Sequence, residues 1–309
     1  MNEMQCILCR SKNISTIENI NTHQIAGLYQ TRAGVDVERF FPEESLLFVN
    51  CNDCDLKFYY PPLTGDSKFY DELQEYHNYY LNIKAEYTEG AKYISTTDEI
   101  LEIGCGEGSF KNFINCRTYT GLEFSDTAIK KATAKGLFVL KQQIEEYAPL
   151  NKEKFDVVCC FQVLEHVEDP ENFIKQSLAC LKHGGKFIIA VPCEDSFIKQ
   201  AINFYLNMPP HHISRWTDKS LKNIALLHNL ELSSLIHEPL QSFHKLFYLK
   251  TVITKRLYKL WRHPVKSIDP GFPGKLLYGF ATLLAYILSP FFTKFRNIRG
   301  QSVIVVYTK

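Results

Sequence analysis

Three sets of residues in this 309-residue chain have the types and spacings that chemistry needs. Gly104, Gly106 and Gly108 alternate as G-x-G-x-G directly behind the apolar run 100–103. Without a Cβ, such a loop turns tightly and lets a ligand approach its backbone. Glu123 stands about twenty residues further on, at the end of a second strand-like run, 118–122. A carboxylate at that offset can accept hydrogen bonds from both hydroxyls of a ribose, so an adenosine-type ligand is expected. Cys6-x-x-Cys9 and Cys51-x-x-Cys54 form the second set. Each pair sets two thiolates on a tight knuckle, and four sulfurs meeting at one point suit zinc in a closed structural site. Four ordinary buried cysteines are the alternative. The third set is Glu165-His166 and His211-His212. An imidazole titrates near neutral pH and can act as a general base, or it can simply fix a loop by hydrogen bonding. Glu165 can orient one of these rings or bind a substrate directly. The remaining histidines show no pairing and are expected at the surface or in turns.

Positioning these sets takes an ordered run of elements. A helix-compatible segment follows the glycines, and residues 137–140 read as a short strand. Residues 154–161 form a continuous apolar run behind a charged turn, the pattern of a strand buried on both faces. A helical stretch ends near Leu181, the turn Lys182-His183-Gly184-Gly185 follows, and 186–192 make the next strand. A helix over 218–229, a strand over 230–237 and a final antiparallel strand over 300–307 complete the plan. Alternating strands and helices make an α/β chain, and open α/β sheets hold their ligands at the carboxyl ends of the strands. His166 directly follows the strand 154–161, and His211 and His212 come after the strand 186–192.

The succession from Asp98 to about Glu238, plus the last strand, closely resembles the class I S-adenosylmethionine-dependent methyltransferases. Its marks are the glycine loop, the segment Gln162-Val163-Leu164-Glu165-His166-Val167-Glu168-Asp169-Pro170, a helix, an L-x-x-G-G turn and an apolar strand. A dinucleotide loop would read G-x-G-x-x-G, with its third glycine at position 109, which is Ser109. The resemblance implies a Rossmann-like, seven-stranded sheet and S-adenosylmethionine as cofactor. It places Gly104, Gly106 and Gly108 in the cofactor loop, Glu102 toward the methionine ammonium through water, and Glu123 on the ribose. Gln143 replaces the family's usual Asp at the adenine amino group, and Ile144 packs on the ring. Phe161 and Gln162 fall beside the methionine portion. The pair Tyr79-Tyr80, in an aromatic linker, matches a lid over the cofactor; plain interdomain packing is the other reading.

Methyltransferases acting on sugars and other bacterial metabolites have a similar layout, with a Cys-x-x-Cys…Cys-x-x-Cys zinc module ahead of the catalytic domain. Here Asp55 stands where that module usually has glycine. The implied organisation is a zinc-binding module over 1–64, a linker or lid over 65–97, and a methyltransferase domain over 98–309 with a helical insertion at about 239–299. The segment Pro209-Pro210-His211-His212-Ile213-Ser214-Arg215-Trp216-Thr217 is similar to one found in sugar-modifying members. The expected reaction is therefore methyl transfer to a sugar, nucleotide-linked or in a glycan pathway, with His166, His211 or His212 as base. O-methylation of a quinone-like or other lipophilic molecule is the second expectation. A non-catalytic binding protein is the third, opposed by the intact glycines and Glu123.

Bulk properties bound these readings. Thirty-five basic and 34 acidic residues leave a net charge of +1, which gives no footprint for nucleic acid. Ten cysteines behind a polar N-terminus suit a reducing compartment, so a cytoplasmic location is expected. Residues 276–288 carry no charge and have basic residues on both sides. Thirteen residues are short for a membrane span, so the segment is expected as a buried cap, an oligomer contact, or a peripheral membrane contact through about 275–299.

Overall fold

The chain builds outward from a sheet whose middle strands are apolar on both faces. A computed structural model describes residues 4–76, 85–293 and 297–309. The N-terminal part contains β1 (Ile14–Asn21), α1 (Thr22–Ala33), β2 (Ser45–Cys51) and β3 (Lys57–Tyr60), followed by α2 (Ser67–Tyr76). Helix α3 (Ala85–Ala91) leads into β4 (Glu99–Ile103), β5 (Thr118–Leu122), α4 (Asp126–Ala134), β6 (Val139–Leu140) and α5 (Ile144–Tyr147). Then come β7 (Phe155–Phe161), α6 (Pro170–Cys180), β8 (Leu181–Pro192), β9 (Ser214–Arg215), α7 (Asp218–His228) and β10 (Glu231–Pro239). Two long helices, α8 (Lys245–Leu260) and α9 (Phe272–Leu288), precede β11 (Arg299–Thr308).

Seven strands form one sheet in the order β10-β11-β8-β7-β4-β5-β6. The pairs among β4, β5, β6, β7 and β8 are parallel, whereas β11 runs antiparallel to both neighbours. After β4 the chain moves outward to β5 and β6, then returns to place β7 on the other side. That reversal opens a crevice at the carboxyl ends of β4 and β7, where this class of sheet binds ligands. Helix ends are well signalled: Ser125 and Asp169 cap α4 and α6, and Thr217 with Ser220 makes a capping box on α7.

Three local expectations change. The segment behind the glycines is only a 3₁₀ turn, Ser109–Phe113, because fully buried Phe110 is drawn down against Phe161. The strand expected at 137–140 shrinks to Val139–Leu140, since Leu137 turns aside to fill the space above Gly108. The turn at 182–185 is a bulge inside β8, with Gly184 at φ 74° and a register shift against β7.

A second sheet, β1-β2-β3-β9, joins the N-terminal residues to the segment after β8. Lys57 pairs with Arg215 and Phe58 with Ser214. One apolar core accordingly runs from Cys6, Cys51, Cys54 and Phe58 through Trp216 to Val158 and Val191 of the large sheet. Helix α9 is longer than the uncharged run that signalled it, and its outer face is exposed.

Candidate active site

At the crevice lies a cavity of about 1470 Å³, its wall reaching from the glycine loop to the histidines. On the first side, Gly104 and Gly106 follow β4 with φ of 68° and 54°. A Cβ on Gly104 would sit 2.4 Å from Val163 Cγ2, so the bare backbone is required there. Glu123, at the tip of β5, accepts hydrogen bonds from Gly106 N (2.8 Å), Phe124 N (2.7 Å) and Ser125 N (3.0 Å). The carboxylate thus clips the glycine loop to the neighbouring strand while facing the cavity. Gln143 directly precedes α5, beside buried Ile144, and both line the wall. Phe161 packs edge-on against Tyr87 and at a tilt against Phe110, and Gln162 turns through φ 59° to donate to Ser302 Oγ at 3.2 Å.

Of two further residues expected on this side, one lies elsewhere and one shapes the loop without lining the cavity. Glu102 does not line the cavity: strand alternation sends it to the opposite face from Leu101 and Ile103, where the Tyr119 hydroxyl donates to it. Gly108 serves packing, since a Cβ there would meet Leu137 at 2.1 Å. Tyr79 and Tyr80 lie outside the described residues.

Opposite the loop, Glu165 and His166 form a 3₁₀ turn behind β7 and meet His211 and His212. Ile213 N donates to the Glu165 carbonyl at 2.9 Å, which ties the two segments together. The three imidazole centroids lie 4.3–4.8 Å apart. His166 Nδ1 is 2.6 Å from the His211 carbonyl oxygen and 3.2 Å from the Tyr70 hydroxyl. His211 Nδ1 lies 2.7 Å from the Leu206 carbonyl, and His212 Nδ1 lies 3.1 Å from Asn207 Oδ1. Carbonyl acceptors fix each ring with its proton on Nδ1. Glu165 is 1% exposed, and its Oε1 lies 3.8 Å from His166 Nε2 and 3.9 Å from His212 Nε2. Burial holds His211 and His212 well below the usual imidazole pKa, with His166 adding to the effect on both. Both rings are therefore neutral at pH 7 and able to accept a proton.

Several wall residues take roles that their place in the sequence does not give. Tyr70 reaches in from α2, and burial pushes its hydroxyl pKa up. Glu238, from the end of β10, is pushed up to about 7 by burial and then by Glu86, and it accepts from Gln301 N and Ser302 N. His244 lines the rim with its pKa lowered to about 4 by burial. His237 also departs from the surface expectation, bridging Cys193 and Asp218.

The four N-terminal cysteines gather with Cys6 Sγ 3.6 Å from Cys54 Sγ and Cys9 Sγ 3.5 Å from Cys51 Sγ. Sulfurs on one tetrahedral zinc stand about 3.8 Å apart, given bonds of about 2.3 Å, so the set fits that ion. The two knuckles share one backbone design. Arg10 N donates to the Cys6 carbonyl and Asp55 N to the Cys51 carbonyl, with Arg10 at φ 61° and Asp55 at φ 65°.

A seven-stranded sheet with a glycine loop after β4 and a carboxylate at the tip of β5 defines a class I, S-adenosylmethionine-dependent methyltransferase. The methyltransferase domain family matches residues 74–235, just over half the chain, and the chain belongs to that family. An uncharacterized protein of Methanocaldococcus jannaschii is 35% identical over 112 residues, 34% of this chain and 53% of that protein. A ubiquinone biosynthesis O-methyltransferase of Idiomarina loihiensis is 26% identical over 170 residues, 47% of this chain and 68% of that enzyme. The match thus spans about half of the first relative's length. The crystal structure of a methyltransferase from Archaeoglobus fulgidus is similar at 18% identity, covering 73% of this chain and 92% of that one with a TM-score of 0.48.

Proposed function

We propose that this protein methylates a hydroxyl group of a sugar, the wall of Glu165, His166, His211 and His212 receiving the acceptor. The convergence of that polar cluster opposite the glycine loop, across one cavity, carries the reading. When bound, S-adenosylmethionine supplies a methyl carbon on a sulfonium that leaves readily. The chain's work is to hold the acceptor oxygen in line, exclude water and take the hydroxyl proton. Neutral imidazoles whose Nδ1 protons are held by carbonyls can accept that proton at Nε2, and Glu165 beside them stabilises the imidazolium formed. His166→Gln should bind S-adenosylmethionine with parental affinity but lose about 10²–10⁴ in kcat. Unchanged turnover in His166, His211 and His212 variants alike would remove the imidazole base. A panel of nucleotide-linked sugars, assayed for transfer of labelled methyl, tests the acceptor class.

A lipophilic acceptor is the second reading, and α9 favours it. Phe272, Leu276, Phe280, Leu283, Ile287 and Phe291 are each 45–79% exposed, at three- and four-residue intervals that form one stripe. Residues 239–299 hold eleven lysines and arginines against one acid, Asp269, although the whole chain has a net charge of +1. An apolar stripe within a basic segment fits an anionic membrane surface, and α8 follows Phe243 and His244 on the cavity rim. The opposite face of α9 buries Ala281 and Ala285, which suits lying on a surface better than crossing one. Sedimentation with anionic vesicles, weakened at high salt, is the expected result. Recovery entirely in the supernatant would sink this contact.

A further inference from the structure

We propose that His166, His211 and His212, with Glu165, form a second metal site, for a divalent ion of the zinc class, on the acceptor side of the cavity. The inference rests on the reading that this wall receives the acceptor. One nitrogen of each ring lies within 4.8 Å of the others, close enough for small side-chain movements to bring all three onto one ion. Two ligands of an ion with bonds of about 2.1 Å cannot be more than about 4.2 Å apart. Glu165 Oε1, at 3.8 Å and 3.9 Å from two of the Nε2 atoms, already meets that limit.

The outer partners point the same way. Histidines that bind metal hold the other ring nitrogen's proton on a carbonyl or carboxylate, which fixes the tautomer and aims the lone pair. All three rings here are built so, on the His211 carbonyl, the Leu206 carbonyl and Asn207 Oδ1. A general base requires one such ring. Three rings and a buried carboxylate meeting at one place form a donor set of mixed nitrogen and oxygen, and an ion of this class can expand to five ligands to take one more. With the ion bound, the rings serve as ligands instead of as the base, and an acceptor hydroxyl occupying that position would be oriented and made acidic enough to give its proton to water.

The test uses the purified full-length protein and metal analysis by inductively coupled plasma mass spectrometry. Two zinc-class ions per chain are expected, one for the cysteine set and one for the histidine set. His212→Ala should lower the count to one. Asn207→Ala, which removes only the outer partner of one ring, should weaken the second ion about 10–100-fold. Cobalt substitution separates the two sites, because only the cysteine set gives sulfur-to-metal charge-transfer absorption. A single ion that survives all histidine variants, with thiolate absorption alone, would overturn the proposal. Methyl transfer by a protein holding that single ion would overturn the metal site and leave the functional reading intact. Two ions without transfer to any sugar would do the reverse.

Discussion

The two sides of the cavity are assembled in different ways. Every cofactor-side residue follows the end of its own strand: the glycines after β4, Glu123 after β5, Gln143 after β6, Gln162 after β7. Short spacings along the chain determine that side, and the sheet order brings its parts together. The acceptor side has no such local logic. Tyr70 comes from α2, His166 from the turn after β7, His211 and His212 from a segment held by β9, and Glu238 from the end of β10. Much of its rigidity is supplied by the N-terminal sheet. Tyr59 N donates to the Ile213 carbonyl, Tyr59 Oη to the Asn207 carbonyl at 3.1 Å, and Tyr29 Oη to the Met208 carbonyl at 2.9 Å. Arg215 donates to Tyr59 Oη and to the Asn207 carbonyl. The cysteine knuckles thus anchor a small sheet whose last strand presents the histidine pair.

This contrast predicts where each kind of damage will appear. Glu123→Ala should act on the cofactor side alone. It removes the carboxylate expected to accept from two ribose hydroxyls and unclips the Gly106 backbone, and hydrogen bonds to charged groups contribute about 1.5–3 kcal/mol each. S-adenosylmethionine affinity should fall at least about a hundredfold in calorimetric titration, with the histidine wall undisturbed. Parental affinity in this variant would mean that the ribose is held elsewhere and that Glu123 serves only the loop.

Glu238 lets the acceptor side be probed through pH. Its carboxyl sits at about 7 in the folded protein, above the 4.5 of an exposed glutamate, because burial disfavours the charged form. The folded state therefore holds a proton that the unfolded chain has lost. Stability from this group is fully present below pH 4.5 and is lost as pH rises toward 7, by an amount on the order of 3 kcal/mol. Glu238→Gln keeps an oxygen for the Gln301 and Ser302 amides but cannot ionise. Thermal denaturation across pH 4.5–7.5 should show a flatter profile for the variant. Parallel profiles would place the carboxyl in a more solvated setting than its 4% exposure implies.

The difference between the sides also explains what could be read from the sequence. Glycine spacing, Glu123 and the strand ends were legible because turn chemistry and periodicity are local. Glu102 was misplaced for a local reason too: the alternation of β4 sends its side chain to the far face, where Tyr119 waits. The four cysteines and three histidines were recognisable by type, and strand ends placed both histidine segments at one edge of the sheet, but their packing into one cluster depends on contacts far apart in the chain. Asn207 and Glu238 left no signal, and Tyr70 only its place in the aromatic linker, since their roles come from contacts over long separations, as Arg215 with Tyr59 across 156 residues shows. The α9 segment was visible as an uncharged run, but which of its faces stays exposed depends on packing against α8.

The smallest expected effect is the sharpest test of how the scaffold supports the acceptor side. Both cysteine knuckles end in a residue with left-handed backbone, Arg10 and Asp55, where glycine would be unstrained. Asp55 matters more, because its carbonyl accepts from Thr217 Oγ1, at the cap of α7 just beyond β9. Asp55→Gly removes Cβ strain but makes the unfolded chain more flexible, so the gain is at most about 1 kcal/mol, roughly 2 °C in Tm. The backbone contact to Thr217 survives the change, and so kcat and S-adenosylmethionine affinity should stay at parental values. A variant with raised Tm and normal turnover would show the knuckle to be a support whose strain is independent of the chemistry. Loss of turnover with zinc retained would instead show that the angle of this knuckle sets the position of His211 and His212. The boundary between scaffold and active site would then move to the cysteines themselves.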